Sequence, residues 1–492
     1  MSTGESTDIQ KFASGIIWVA ISQILVSAIG IIVLPVLTKS YPPEIYGVWV
    51  QINVTIGICA SLMSLYLGAA LIRFIAGEKE KEQRRQTFGT MLWTVFFSMI
   101  IVSIFSIIFR QDLSLIIFSS DQFVVFVPLT FLWASLEALF AFLINYFQAI
   151  GNIKKLTIIQ VASSIVKIGL IVILSTTGNS LVWIVISIIV AQALFVVVTF
   201  LLITKELGFP RLRFNGLKRF LAFSLPYIPS GIAFFIISSS DKYFIAHLLN
   251  LSEAGIYAAS YSIGSLILFF SSPLIFVLYP KLIKLWEHKE TARLRNYLEY
   301  SIKLFLALAI PGSVGLYFLS QPLLGLLATP EYAVGGLIVL LIALGTTMYG
   351  IYQIAVCIIC LAEQTKWLPL AISLSAAINI CINLALIPAL GIIGAACSMA
   401  IAYLLLAIIV AVWAGKIFNY SFDLKFIAKI VLATILMAFC ISFIKIGGAL
   451  GIALTTITGL IIFGAGLFFL RAFSRDDQAL IKEILSGINI KF

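Results

Sequence analysis

Residues 181–203 read LVWIVISIIVAQALFVVVTFLLI, 23 positions without a charged side chain. About 20 apolar residues in a helix cross the hydrocarbon core of a bilayer, and in lipid the backbone N–H and C=O groups must bond to each other. The stretch is too long and too uniformly apolar for a barrel strand, so it reads as a membrane-spanning helix. Comparable runs recur from Phe12 to Leu470. They place helices at about 12–38, 47–76, 88–109, 122–149, 155–176, 181–203, 220–245, 255–279, 300–320, 333–361, 367–388, 391–414, 426–445 and 449–470, about fourteen in all. The fold class is therefore an all-α membrane protein. Segment 113–120 is apolar but short and reads as interfacial.

Composition and charge point the same way. Of 492 residues, 61% are hydrophobic and 11% charged, with a mean hydropathy of +1.12; soluble domains carry about 25% charged residues. If the N-terminus is cytoplasmic, 27 of the 32 Lys and Arg fall on the inner side, Lys39, Arg110, Lys242 and Lys445 fall outside, and Lys167 lies within a helix. That asymmetry predicts a multi-pass protein of the cytoplasmic membrane with both termini inside. It also assigns the net charge of +11 to topology rather than to nucleic acid. The longest soluble pieces, 204–219, 280–299 and 471–492, are all inner, and Lys281–Tyr300 is basic and amphipathic, expected on the inner leaflet. The outer loops are too short for a domain. Six cysteines lie in apolar segments and read as packing residues. His247 and His288 fall on opposite sides, and no metal, nucleotide or cofactor motif is present, so no cofactor is expected. Transport, if driven, would use a gradient, since an ATP-driven pump needs a soluble nucleotide domain.

Ionisable residues at membrane depth are the functional candidates. Glu137 and Lys167 lie on consecutive helices, each about a dozen residues from the turn near Gly151–Lys155. At 1.5 Å per residue they stand at matching depth, roughly 18 Å up, and are expected to pair or to share a wet site. Asp241 and Lys242 follow Ser238–Ser240 late in the seventh helix, a run out of place on lipid. Pro226 and Pro229 in that helix, and Pro35 in the first, mark hinges. Arg73 lies in AALIRFIAG at an inner helix end, within reach of a headgroup phosphate. Asn379 and Asn383 share one face of the eleventh helix and, with Tyr349, Tyr352 and Gln353, are candidates to line a polar cavity. Each position has a plainer reading as an ion pair, an anchor or interhelical glue.

A faint repeat joins the two halves. Lys39-SYPPEIYGVW and Asn250-LSEAGIYAAS both put an acid, Glu44 or Glu253, just before a Gly/Tyr pair at a helix start, six helices apart. Such repeats suit a transporter of two halves.

Four segments carry a family resemblance: Pro35-VLTKSYPPEIYGVW, Leu71-IRF, Ser238-SSDKYFIAHLLNLSEAGIYAASYSIGSL and Leu384-ALIPALGIIGAACSMAIAY. The chain resembles the polysaccharide-exporter (Wzx-type flippase) family of the multidrug/oligosaccharidyl-lipid/polysaccharide exporter superfamily, over nearly its whole length. The resemblance implies two six-helix lobes in a V-shaped arrangement, 1–203 and 220–414, joined by the linker 204–219. Helices thirteen and fourteen at 415–470 would form a groove for a lipid tail, ahead of a tail at 471–492. It implies a monomer that moves a polyprenyl-linked oligosaccharide to the outer leaflet by alternating access, with membrane lipids and glycan-assembly proteins as partners. The family's cationic cavity maps onto Arg73, Lys167 and Lys242, with Lys39 a weaker candidate, and the acids beside them, Glu137 and Asp241, are read as coupling or pairing residues. The lipid II flippases of the superfamily place arginines in helix one, and this chain has none there. A multidrug antiporter of the same fold is the alternative, although helix one also lacks an acid. A glycosyltransferase or polymerase is disfavoured by the short outer loops.

Overall fold

The computed structural model describes residues 32–78, 80–212, 214, 216–333, 335–444 and 448–472. Thirteen helical stretches among the described residues are long and apolar enough to cross a membrane. The remaining expected span, 12–38, lies outside the described residues except for its end, which forms α1 (residues 32–40). The all-helical membrane architecture expected from hydropathy is the one found. Contacts divide the chain into two compact units, Met1–Ala258 and Ala259–Phe492.

In the first unit, α6 (Phe126–Ala149) is the central helix, packed by α2 (Pro43–Met63), α3 (Leu67–Gly77), α4 (Lys81–Ile108), the short α5 (Arg110–Phe118) and α8 (Leu181–Leu207). Lipid tails are as apolar as leucine, so such helices associate through close packing. Phe88 stacks on Phe142 at 5.8 Å and meets Tyr146 edge-on at 5.4 Å. A Cβ on Gly68 would fall 2.1 Å from Asn145 Nδ2, so a larger residue there would have to displace the Asn145 amide.

Two expected single helices are each broken. The span read as 47–76 stops at Met63 and resumes at Leu67, with Leu65 and Tyr66 at φ +50° and +53°. Left-handed backbone costs a non-glycine residue about 1–2 kcal/mol. Local bonds and packing offset it here. Leu67 N–H donates to Ser64 O at 2.9 Å, and the Tyr66 hydroxyl occupies the space above Gly231, where a Cβ would lie 1.6 Å from it. The span read as 220–245 consists of α9 (Leu217–Ser224) and α10 (Tyr227–Leu248), separated at Leu225–Pro226 because Pro226 has no N–H to continue the ladder. Pro229 sits in the first turn of α10, where a missing donor costs little.

In the second unit, α14 (Gly336–Leu361) packs against α12 (Leu268–Glu287), α13 (Thr291–Leu327) and α16 (Ile392–Ile417), and α15 (Leu368–Leu390) lies on α16. The segment Lys281–Tyr300, expected flat on the membrane surface, instead forms the ends of α12 and α13 around a turn with Lys289 at φ +57°. The reason is its apolar side. Leu282, Leu285, Leu294 and Leu298 are all buried, so the amphipathic face covers protein rather than lipid. The chain ends with α17 (Leu424–Ile441) and α18 (Gly448–Phe469), both packed on α13.

Candidate functional site

The sequence motif Ser238–Lys242 lies on α10 with the Ser238 and Ser240 hydroxyls turned to its own backbone. Ser240 Oγ donates to Ile236 O at 2.7 Å and Ser238 Oγ to Phe235 O at 3.3 Å. The charged pair beyond them is enclosed, with Asp241 1% and Lys242 8% exposed at the side chain. Asp241 Oδ1 accepts from Lys242 N–H at 2.9 Å and from Lys242 Nζ at 3.3 Å. Its Oδ2 accepts from the Tyr257 hydroxyl at 2.5 Å, and Lys242 Nζ also lies 5.8 Å from the centre of the Tyr257 ring. Gln51, fully buried on α2, donates from Nε2 to Lys242 O at 2.8 Å, while its Oε1 is buried without a hydrogen-bond partner. Next to it Thr55 Oγ1 meets the Tyr243 hydroxyl at 2.6 Å. Lys242, which the resemblance maps onto a cationic cavity, is thus enclosed and neutralised by the adjacent carboxylate of Asp241.

Tyr257 and Gln51 reach the pair because the two repeat motifs pack on each other. A Cβ on Gly47 would lie 2.0 Å from Leu251 O, and a Cβ on Gly255 would lie 2.4 Å from Pro43 O. The contact is reciprocal, each motif's glycine meeting the backbone four residues before the other motif's glycine. It seats the start of α11 (Leu251–Gly264) against the start of α2 and delivers Tyr257, two residues beyond Gly255, to Asp241. The glycines of the repeat and Tyr257, the tyrosine of its second Gly/Tyr pair, were legible; Gln51 was not singled out by any local signal.

The structure brings Glu137 of α6 and Lys167 of α7 (Ile153–Thr176) together, with Lys167 Nζ donating to Glu137 Oε2 at 3.1 Å. The pair is partly open, at 20% exposure for Lys167 and 35% for Glu137. Lys39 is exposed at the end of α1, and Pro35 is half-buried within it. Arg73 is exposed on α3 with its guanidinium 5.2 Å from the centre of the Phe223 ring.

In the second unit, Asn379 and Asn383 are 1% and 0% exposed. Asn379 Nδ2 donates to Ser398 Oγ at 3.1 Å, Ser398 Oγ donates to Asn379 O at 2.9 Å, and Asn383 Nδ2 donates to Asn379 Oδ1 at 3.1 Å. They tie α15 to α16 inside a closed seam rather than walling an open cavity. Tyr349 stacks on Tyr352 at 5.6 Å and tilts against Tyr403 at 5.0 Å, and Gln353 Oε1 is buried without a partner. Between α17 and α18 runs an apolar groove of about 570 Å³, lined by residues such as Leu436, Phe439, Ile461 and Phe469. All six cysteines are free, and no cluster of three metal-binding side chains occurs among the described residues.

Two kinds of chemistry follow from these side chains. Carboxylate–ammonium pairs at membrane depth can exchange partners or protons, and an apolar groove can hold a hydrocarbon chain.

Comparison with known proteins agrees with the architecture. The probable low-salt glycan biosynthesis flippase Agl15 of Haloferax volcanii is 20% identical over 225 residues, 46% of this chain. The chain spans about half the length of that curated relative, 48%. The structure of lipid II flippase MurJ in an inward closed conformation superposes with a TM-score of 0.79 and 16% identity, covering 92% of this chain and 98% of that one. An inward-facing multidrug resistance MATE family transporter of the MOP superfamily gives a TM-score of 0.67 and 12% identity, covering 82% and 97%. These likenesses establish the fold. The model of the family described as polysaccharide biosynthesis protein matches residues 12–286, more than half of the sequence, and the chain belongs to that family.

Proposed function

We propose that the protein is a flippase that carries a polyprenyl-(pyro)phosphate-linked oligosaccharide from the inner to the outer leaflet by alternating access, for cell-surface glycan assembly. Such a substrate has three parts, an isoprenoid tail, an anionic linkage and a polar sugar. The observation that carries the reading is the apolar groove between α17 and α18, which suits the tail. The relative from Haloferax volcanii, named a glycan biosynthesis flippase, supports the same class of cargo.

In this reading the lobes 1–203 and 220–414 move about the linker 204–219, with Pro35, Pro226 and Pro229 at flexible points. The Asp241–Lys242 pair would trade Tyr257 and its internal partner for a substrate phosphate or a coupling ion. Glu137 and Lys167 would do the same from a more open position. A buried charge is stable only while paired, so exchange of partners, not loss of them, is the allowed route. Deletion of the gene should trap lipid-linked oligosaccharide with its sugar on the cytoplasmic side, measured by mass analysis of extracted lipids. Unchanged lipid-linked sugar pools in the deletion strain contradict the proposal.

The buried carboxylate of Asp241 favours one second reading, a cation antiporter of the same fold. In that case deletion sensitises cells to cationic dyes and leaves glycan intermediates unchanged.

A further inference from the structure

The short helix α9 and the strand of chain before it do not sit free of the bundle. Arg85 Nε donates to Phe209 O at 2.8 Å, and a Cβ on Gly89 would lie 2.9 Å from Arg211 O, so residues 209–211 lie against α4. Phe214 then meets Phe97 of α4 at 6.2 Å. Phe209, Leu212 and Phe214 are large, apolar and exposed, a patch of the kind that meets a membrane or another apolar surface.

At the end of this path two arginines interleave with aromatic rings. Arg219 of α9 lies 4.5 Å from the centre of the Phe74 ring of α3, and Arg73 of α3 lies 5.2 Å from the Phe223 ring of α9. The rings touch each other, Phe74 with Phe220 at 5.2 Å and with Phe223 at 5.7 Å. Among the described residues neither guanidinium forms an ion pair, and both are exposed. A guanidinium covered on its face by a ring keeps its edge N–H donors for an acceptor in its plane, the geometry that binds phosphate bidentately. Stacking also fixes the side chain before a ligand arrives, which lowers the entropy lost on binding.

Beside α9 a groove of about 470 Å³ runs along α4, lined by Leu65, Thr94, Phe97, Ile101, Phe214 and Leu217 among others. Leu65 belongs to the break in the second span, and Leu217 lies two residues from Arg219. α9 thus turns Arg219 toward the rings of α3 and, with Leu217 on another side of the same helix, helps to wall a slot for a hydrocarbon chain. We propose that Arg73, Arg219 and this groove form an entry site for an isoprenoid pyrophosphate lipid, distinct from the Asp241–Lys242 cluster. Two uncompensated cations match a pyrophosphate, with two or more negative charges, better than the single charge of a phosphodiester phospholipid. The inference rests on the flippase reading for the identity of the cargo.

The test uses the full chain in phosphatidylcholine nanodiscs, with geranylgeranyl pyrophosphate as probe and phosphatidylglycerol as competitor. Arg73→Gln and Arg219→Gln should each weaken probe binding about ten- to hundredfold, the range of a lost charge-assisted bond. Arg73→Lys and Arg219→Lys should bind between the wild type and the Gln variants, and they decide the matter if a Gln variant fails to fold. Thr94→Trp, which fills the groove, should weaken geranylgeranyl pyrophosphate but not inorganic pyrophosphate. Wild-type affinity in both Arg→Gln or both Arg→Lys variants overturns the site, as does phosphatidylglycerol displacing the probe at equal mole fraction. Transport by the wild type in proteoliposomes is measured in parallel. Absent transport counts against the flippase reading alone, whereas unchanged binding by the variants alongside intact transport counts against the entry site alone.

Discussion

Replacing Asp241 by Asn should be among the most destabilising single changes in the first unit. The carboxylate is 1% exposed and accepts from Lys242 N–H, Lys242 Nζ and the Tyr257 hydroxyl. The amide keeps the shape but removes the charge that compensates an ammonium only 8% exposed. Breaking a buried pair from one side costs about 3–5 kcal/mol, because the remaining ion stays desolvated. Removing both charges costs far less, since no ion is left to solvate, so Asp241→Asn with Lys242→Met should recover at least half of the loss. Tyr257→Phe, which deletes one hydrogen bond to a charged acceptor, should cost about 1.5–3 kcal/mol. The assay is reversible unfolding of the purified protein in mixed micelles with increasing dodecyl sulfate, followed by tryptophan fluorescence. A single-variant cost under about 1 kcal/mol, or a double variant as unstable as the sum of its parts, would refute the reasoning.

Three further outcomes follow from the geometry. Glu137→Gln and Lys167→Met should couple by about 0.5–3 kcal/mol in a double-mutant cycle, read in the same unfolding assay, because their charged atoms lie 3.1 Å apart. Gly47→Ala sets a methyl carbon 2.0 Å from Leu251 O, a backbone atom that cannot step aside, and should destabilise by about 1–3 kcal/mol or more, whereas Gly57→Ala, with nothing within 4 Å, should not. Asp423 caps α17, and the Phe426 N–H it accepts, together with Lys303 at 3.0 Å, holds its carboxyl below the usual carboxylate range. A lowered folded value means that the ionised form stabilises above the unfolded pKa near 4, and that this stability is lost as pH falls through the lower folded value. The gap in unfolding stability between wild type and Asp423→Asn should therefore be widest near neutral pH and close in acid.

The membrane fold was legible because a bilayer imposes one rule on every span, and runs such as 181–203 obey it without help from tertiary structure. The breaks were harder. Pro226 announces its own, but Leu65 and Tyr66 carry no glycine or proline signal and are held left-handed by Tyr66 packing over Gly231. The surface assignment of Lys281–Tyr300 failed because an amphipathic helix looks the same in sequence whether its apolar side meets lipid or a neighbouring helix.

The site divides in the same way. Asp241 and Lys242 stand out because charge is rare at that depth, and Glu137 and Lys167 share a level that counting from one tight turn reveals. Their surroundings come from distant sequence. Gln51 and Lys242 are 191 residues apart and meet through packing that no local pattern encodes. Arg219 reads as one more inner-loop cation until its contact with Phe74 is seen. Asn379 and Asn383 share a face as their spacing requires, but spacing does not tell whether that face is open or closed.

The central claim is translocation of a lipid-linked glycan, and reconstitution tests it most directly. Purified protein is placed in liposomes carrying a polyprenyl pyrophosphate-linked oligosaccharide, and an external glycosidase reports the fraction of sugar on the outer leaflet over time. The account predicts that nearly all of the substrate becomes accessible with the protein present, while about half stays protected in protein-free liposomes. Equal protection in the two samples, with the protein folded and inserted, would contradict it.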